Sequence, residues 1–175
     1  MERRKLAFAL LALVLVACIV FVATRMPPEQ PVSFFAYGAN LAKSAMTARA
    51  GGFINATPAE LPGYSLSFES QDARATEFGV ATAVPTDSGG VQGALYYLTP
   101  EQMAALDKQS GAPGFYERKE VGVLAGGKVV KAQAYFLAGS VHRQAPSRTY
   151  YLSVQGGLEE WGHDSAFLAN AASAD

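Results

Sequence analysis

The chain has 175 residues, half of them hydrophobic and 17% charged, which suits one domain with a genuine apolar core. Residues 1–25 hold four of its 14 basic residues and one of its 15 acidic ones, so the remainder carries 10 against 14, a formal charge of −4. A domain with that balance and no basic patch has little with which to neutralise phosphates; nucleic acid is disfavoured as a partner and a small molecule is expected.

The first element is apolar. Leu6–Thr24 (LAFALLALVLVACIVFVAT) is 19 residues without a charge, preceded by Arg3, Arg4 and Lys5 and followed by Arg25. At 1.5 Å per residue such a run spans a bilayer core of about 30 Å as a helix. The basic flank keeps the N-terminus inside and exports the rest of the chain. An uncleaved signal anchor is one reading. Another is a lipoprotein signal, because Leu15-Val16-Ala17-Cys18 has the form of a lipobox and Cys18 is the only cysteine. A cleaved signal peptide is the third. The apolar stretch after Cys18 and the spanning length favour the anchor. Each reading puts the domain on the extracytoplasmic side, at a bacterial inner membrane facing the periplasm or as a lipoprotein. One cysteine also means no disulfide within the domain. The expected organisation is an anchor or signal segment over 1–25, a Pro-rich linker over 26–32 and a folded domain over 33–175.

Strand signals come next in chain order. Residues 32–37 are aromatic and β-branched, 64–68 alternate, and 78–84 and 91–98 flank the turn-like Asp87-Ser88-Gly89-Gly90. Residues 115–124 and 128–137 flank Ala125-Gly126-Gly127 and predict a hairpin. Between these, Thr99-Pro100-Glu101-Gln102 predicts a helix start, with Thr99 as N-cap, Pro100 in the first turn and Gln102 closing a capping box. Gly111 suits its stop. A short helix is expected after Pro146-Ser147 and another over 163–172, with Trp161 and Phe167 packing it down. Gly156-Gly157 reads as a turn, like the other glycine pairs. The pattern is α+β: a curled, mostly antiparallel sheet or small barrel of about six strands with two to three short helices.

Metal chemistry finds little support, since His142 and His163 are the only histidines and neither has ligands at the usual spacing. Ser110, His142 and Asp107 form a triad only on paper, with no nucleophile-elbow motif. The sharper signal is Tyr37-Gly38-Ala39-Asn40-Leu41 at the end of the first strand. Gly38 lets the backbone turn tightly and approach a ligand, successive N–H groups can make an anion-binding nest, and Asn40 can brace the loop.

This segment resembles the F-x-Y-G-S-N-L motif of the γ-glutamylcyclotransferase (AIG2-like) family, and further motifs occur in order. Leu61–Phe68 is similar to the family's second strand, Gly79–Pro85 to G-x-A-T-x-x-P, and Val91–Tyr96 to V-x-G-x-L-Y. Leu106-Asp107 with Gly111 and then Tyr116–Val121 resembles L-D-x-x-E-G followed by Y-x-R-x-x-V; Pro146-Ser147 onward resembles P-S-x-x-Y. The resemblance covers about residues 33–170.

The resemblance implies cyclisation of γ-glutamyl amines or peptides. The substrate's α-amine attacks its own γ-carbonyl, giving 5-oxoproline and a released amine, and no cofactor is needed. It implies an oxyanion site in the backbone of Tyr37–Leu41 and a pocket wall at Tyr116 and Tyr135. It also implies a glutamate acid/base, but this sequence has Ser110 at that position. A hydroxyl has no useful pKa near 7 and cannot replace a carboxylate without a base of its own. The motif's serine is replaced too, by Ala39. Glu117, Asp107 and Glu69 are the substitute carboxylates nearest by motif, and strand alternation turns Glu117 away from Tyr116. The competing expectation is a non-catalytic small-molecule binding domain of the same fold.

Overall fold

The computed structural model describes residues 30–72 and 77–173. Six strands and four helices alternate along them: β1 Val32–Ala36, α1 Lys43–Ala50, β2 Asn55–Gln71, β3 Val80–Leu98, α2 Pro100–Ser110, β4 Tyr116–Ala125, β5 Lys128–Leu137, β6 Val141–Arg143, α3 Arg148–Glu160 and α4 Leu168–Ala172. The sheet order β3-β1-β5-β4-β2 closes on itself through a β2–β3 pairing, which makes a five-stranded barrel. Only β1–β5 is parallel, and β6 extends β2 outside the barrel. The expected α+β barrel is therefore present.

β1 has no polar face. Phe34 and Phe35 are both fully buried, one toward each side of the sheet, as happens when a strand is covered by barrel interior and helices alike. Around them lie Leu95, Tyr96, Leu98, Leu106 and Leu41, all without solvent contact.

Several elements differ from expectation, each for a local reason. Residues 78–84 and 91–98 are not two strands flanking a turn; from Val80 to Leu98 the chain is one strand. Asp87-Ser88-Gly89-Gly90 does not reverse the chain but bulges, because β2 opposes Gly90 with Pro62 and Pro85 with Tyr64. Gly63 and Gly89 take the left-handed φ values (76° and 106°) that this register jump demands. β2 reaches back to Asn55, through prolines that usually argue against a strand; its ladder pairing with β4 is limited to Glu60–Leu124, so the missing N–H groups cost little.

The C-terminal helices are exchanged in length. The long one is α3, capped by Ser147 Oγ accepting from Tyr150 N–H at 3.2 Å. Asp164 instead bonds Ala166 N–H at 2.9 Å in the turn before the five-residue α4. Gly156 and Gly157 lie inside α3, where Leu41 would stand only 3.0 Å from a Cβ at Gly157. The α2 cap and stop are as predicted: Gln102 N–H donates to Thr99 Oγ1, Thr99 N–H to Gln102 Oε1, and Gly111 closes the helix at φ 70°. Trp161 packs edge-on against Tyr96 and donates to the Leu41 carbonyl at 2.9 Å.

No helix among the described residues is long and apolar enough to cross a membrane. The apolar run 6–24, Cys18 and most of the expected linker lie outside the described residues.

Candidate functional site

β1 ends inside the barrel mouth, so the loop after it is held where two sheet walls meet. The Tyr37 hydroxyl donates to the Tyr135 carbonyl and accepts from Ala83 N–H at 3.2 Å, tying β1 to β5 and β3. Leu41 N–H closes a turn on the Gly38 carbonyl at 2.9 Å. The Leu41 carbonyl receives the Tyr96 hydroxyl at 2.8 Å as well as Trp161. Asn40 Oδ1 accepts from Arg49 of α1 at 3.3 Å.

Beneath this loop lies a cavity of about 260 Å³. Its wall includes Tyr37, Gly38, Ala39, Asn40, Arg49, Gln109, Ser110, Tyr116, Tyr135 and Tyr150. Of the residues expected at the site, all but Leu41 and the candidate carboxylates Glu117, Asp107 and Glu69 meet here. Leu41 is fully buried behind the loop. Glu117 is half-exposed on the far side of β4, paired with Lys119 at 3.2 Å. Glu69 is buried at the end of β2, off the cavity wall, although its charge is felt at the Tyr37 hydroxyl. His142 is bonded to Asp72 at the surface and His163 to the Gly93 carbonyl, both at 2.7 Å, so the paper triad does not assemble. No cluster of metal-ligating side chains occurs among the described residues.

Ser110 is the last residue of α2. It is nine-tenths buried, and its Oγ has no hydrogen-bond partner within bonding distance. Beside it the Tyr135 hydroxyl donates to Asp107 Oδ1 at 2.7 Å, while Asp107 Oδ2 pairs with Arg118 at 2.9 Å. Tyr135 is pushed well above the usual phenol range by burial first and by the Asp107 carboxylate second, with Ser110 and Arg118 opposing. Tyr116 and Tyr150 are raised by burial as well; the Arg49 charge opposes both, and the Ala81 and Ala39 N–H groups oppose at Tyr150. These phenols stay neutral at physiological pH. Tyr150 accepts Ala81 N–H at 3.2 Å, which leaves its proton to donate.

Among the described wall residues Arg49 is the one cation, and there is no carboxylate and no histidine. Such a wall can grip an anionic group, donate hydrogen bonds to a carbonyl or oxyanion, and exclude water through Phe34, Phe35 and Phe115. It has no group that titrates near neutrality and could shuttle a proton. Sequence reasoning missed Arg49, Gln109 and Tyr150. Tyr150 was legible as the tyrosine of P-S-x-x-Y. Arg49 was not, since α1 has no side-chain cap and little apolar patterning.

The sequence model of the family described as "Gamma-glutamyl cyclotransferase, AIG2-like" matches residues 34–154. None of the curated proteins matches the sequence. A solved structure described as a γ-glutamyl cyclotransferase superimposes with a TM-score of 0.71 at 23% identity, over 83% of this chain and 89% of its own. An uncharacterized protein from Homo sapiens gives 0.71 at 22%, over 84% and 89%. A yeast γ-glutamyl cyclotransferase described as specific to glutathione gives 0.56 at 14%, over 82% and 95%. At these identities the structural likeness is one of fold.

Proposed function

The chain belongs to the γ-glutamyl cyclotransferase, AIG2-like family, and from that premise we propose that its barrel cavity binds small γ-glutamyl compounds and holds them without efficient turnover. The observation that carries this is Ser110: where the family resemblance implies a proton-shuttling glutamate, a buried serine hydroxyl lines a cavity whose described wall has no carboxylate. Binding needs only the groups that remain. Arg49 pairs with the α-carboxylate of the γ-glutamyl group, and the Tyr150 hydroxyl, whose proton is not used within the described residues, donates to its amide carbonyl. Cyclisation needs more. A proton must leave the α-ammonium before nitrogen attacks the γ-carbonyl, and another must reach the departing nitrogen. Positioning alone gives proximity; it does not move those protons.

A second reading has one observation in its favour. Tyr135 joins the cavity wall to Asp107 through a 2.7 Å hydrogen bond, so a phenol oxygen that takes a proton from the substrate can pass its own to that carboxylate. In this reading the chain is a working cyclotransferase with a displaced base.

Titration calorimetry on the full chain with γ-glutamyl dipeptides and glutathione, with 5-oxoproline measured in the same cell, tests the proposal. Saturable binding with no accumulation above a heat-killed control supports a binding domain. Release that disappears in Asp107→Asn supports the second reading. Neither binding nor release overturns both.

We further propose that residues 6–24 tether this domain to a membrane, on the support of their length, their lack of charge and the basic residues before them. No cofactor takes part in either reading.

A further inference from the structure

β1 and β5 are parallel, β3 and β4 run opposite to them, and β2 runs opposite to β3 and β4. The starts of β1, β2 and β5 and the finishes of β3 and β4 therefore form one rim, which contains residue 30, Ile54, and the β4–β5 hairpin tip from Leu124 to Val129. The cavity lies at the opposite end, where β1 finishes at Ala36 and β4 begins at Tyr116. Five residues of β1 separate the two ends, about 16 Å at 3.3 Å per residue.

The rim exposes apolar side chains that the barrel does not use. Val129 is 75% exposed, Ile54 55% and Leu124 42%. Val129 and Leu124 are cross-strand partners, so they present one face. Exposed Lys128 sits next to them at the tip. The chain enters the domain at this same rim, and from Thr24 to Gln30 it can reach at most about 20 Å even when fully extended.

We propose that this rim is the domain's membrane-facing surface: Val129, Leu124 and Ile54 rest in the headgroup region of the bilayer that carries residues 6–24, with Lys128 toward lipid phosphates and the cavity mouth pointing away into the aqueous compartment. The proposal rests on the tether reading. Single exposed apolar residues are ordinary; three on the rim where an apolar run of spanning length joins the domain are not explained by the fold. A short tether also keeps the rim at high effective concentration near the bilayer, so weak insertion suffices.

The test uses the full chain in vesicles of phosphatidylcholine and phosphatidylglycerol. In a Cys18→Ser background, Val129→Cys carries an environment-sensitive dye, and His142→Cys, on β6 at the cavity end, carries the same dye as a control. Headgroup-attached spin labels serve as quenchers. The expected result is a blue shift and quenching at 129, neither at 142, and loss of the shift at 129 when Leu124→Glu is added without change in melting temperature. Equal signals at both positions in chain that sediments with the vesicles would overturn the orientation while leaving the tether standing. Chain that does not sediment with the vesicles would overturn the tether, and the orientation with it.

Discussion

Replacing Gly38 with alanine should loosen the site and the fold together. Gly38 does not occupy the left-handed region, so its backbone accepts a side chain without strain. The obstacle is space: an added Cβ would stand 3.0 Å from the Ala81 Cβ and 3.1 Å from the Tyr150 hydroxyl. Neither neighbour moves freely. Ala81 belongs to β3, and Tyr150 is packed against the core and receives Ala81 N–H at 3.2 Å. Overpacking of this kind costs about 1–3 kcal/mol, and a Tyr150 pushed aside gives up a hydrogen bond worth about 1 kcal/mol within that sum. For a domain of this size the melting temperature should fall by roughly 3–10 °C. Differential scanning calorimetry reads the loss directly. Gly38→Ala combined with Tyr150→Phe removes the colliding oxygen, so the two substitutions should be less than additive by about 1 kcal/mol. An unchanged melting temperature for Gly38→Ala, or strict additivity in the pair, would refute the steric contact.

Arg49→Gln should weaken binding of a γ-glutamyl ligand about 10- to 100-fold, the worth of a charge-assisted hydrogen bond of about 1.5–3 kcal/mol, with the melting temperature little changed; calorimetric titration checks both. Alkali should unfold the domain abruptly. Tyr37, Tyr96, Tyr116, Tyr135 and Tyr150 are all raised above the ordinary phenol value, chiefly by burial. A raised folded-state value means that stability is fully present below the unfolded-state pKa of about 10 and is lost as pH climbs above it. The melting temperature should therefore hold steady to about pH 9 and fall steeply past about 10, and these five should contribute no phenolate absorbance in the folded protein at about pH 10. Five or more titrating together near that pH without unfolding would contradict the burial assigned to them.

How much of the fold was legible in the sequence depended on whether the signal was local. The α2 cap was readable because Thr99, Pro100 and Gln102 act within four residues. The Gly126-Gly127 hairpin was readable because its turn sits between two regular runs. The continuity of β3 was not. Asp87-Ser88-Gly89-Gly90 has turn chemistry, and only its pairing with the Gly63 bulge of β2 shows that the chain bends instead of reversing. The length of α3 was hidden by Gly156-Gly157, of which Gly157 makes room for Leu41, more than 100 residues earlier. At the site, the Tyr37–Asn40 loop was visible as a motif. Arg49 was invisible because its helix is short, uncapped by a side chain and stabilised by tertiary contacts through Met46 and Ala50.

On the reading proposed above, Ser110 stands where the acid/base is missing and the rest of the cavity is intact. The decisive experiment is Ser110→Glu on the full chain, assayed for 5-oxoproline from a panel of γ-glutamyl dipeptides by mass spectrometry. A positioned carboxylate contributes about 10²–10⁴-fold, so release should rise by at least about two orders of magnitude over the native chain. A Ser110→Glu protein that melts like the native one, binds the dipeptides and still releases no more 5-oxoproline than the native chain would show that the missing carboxylate is not what separates this cavity from a working enzyme.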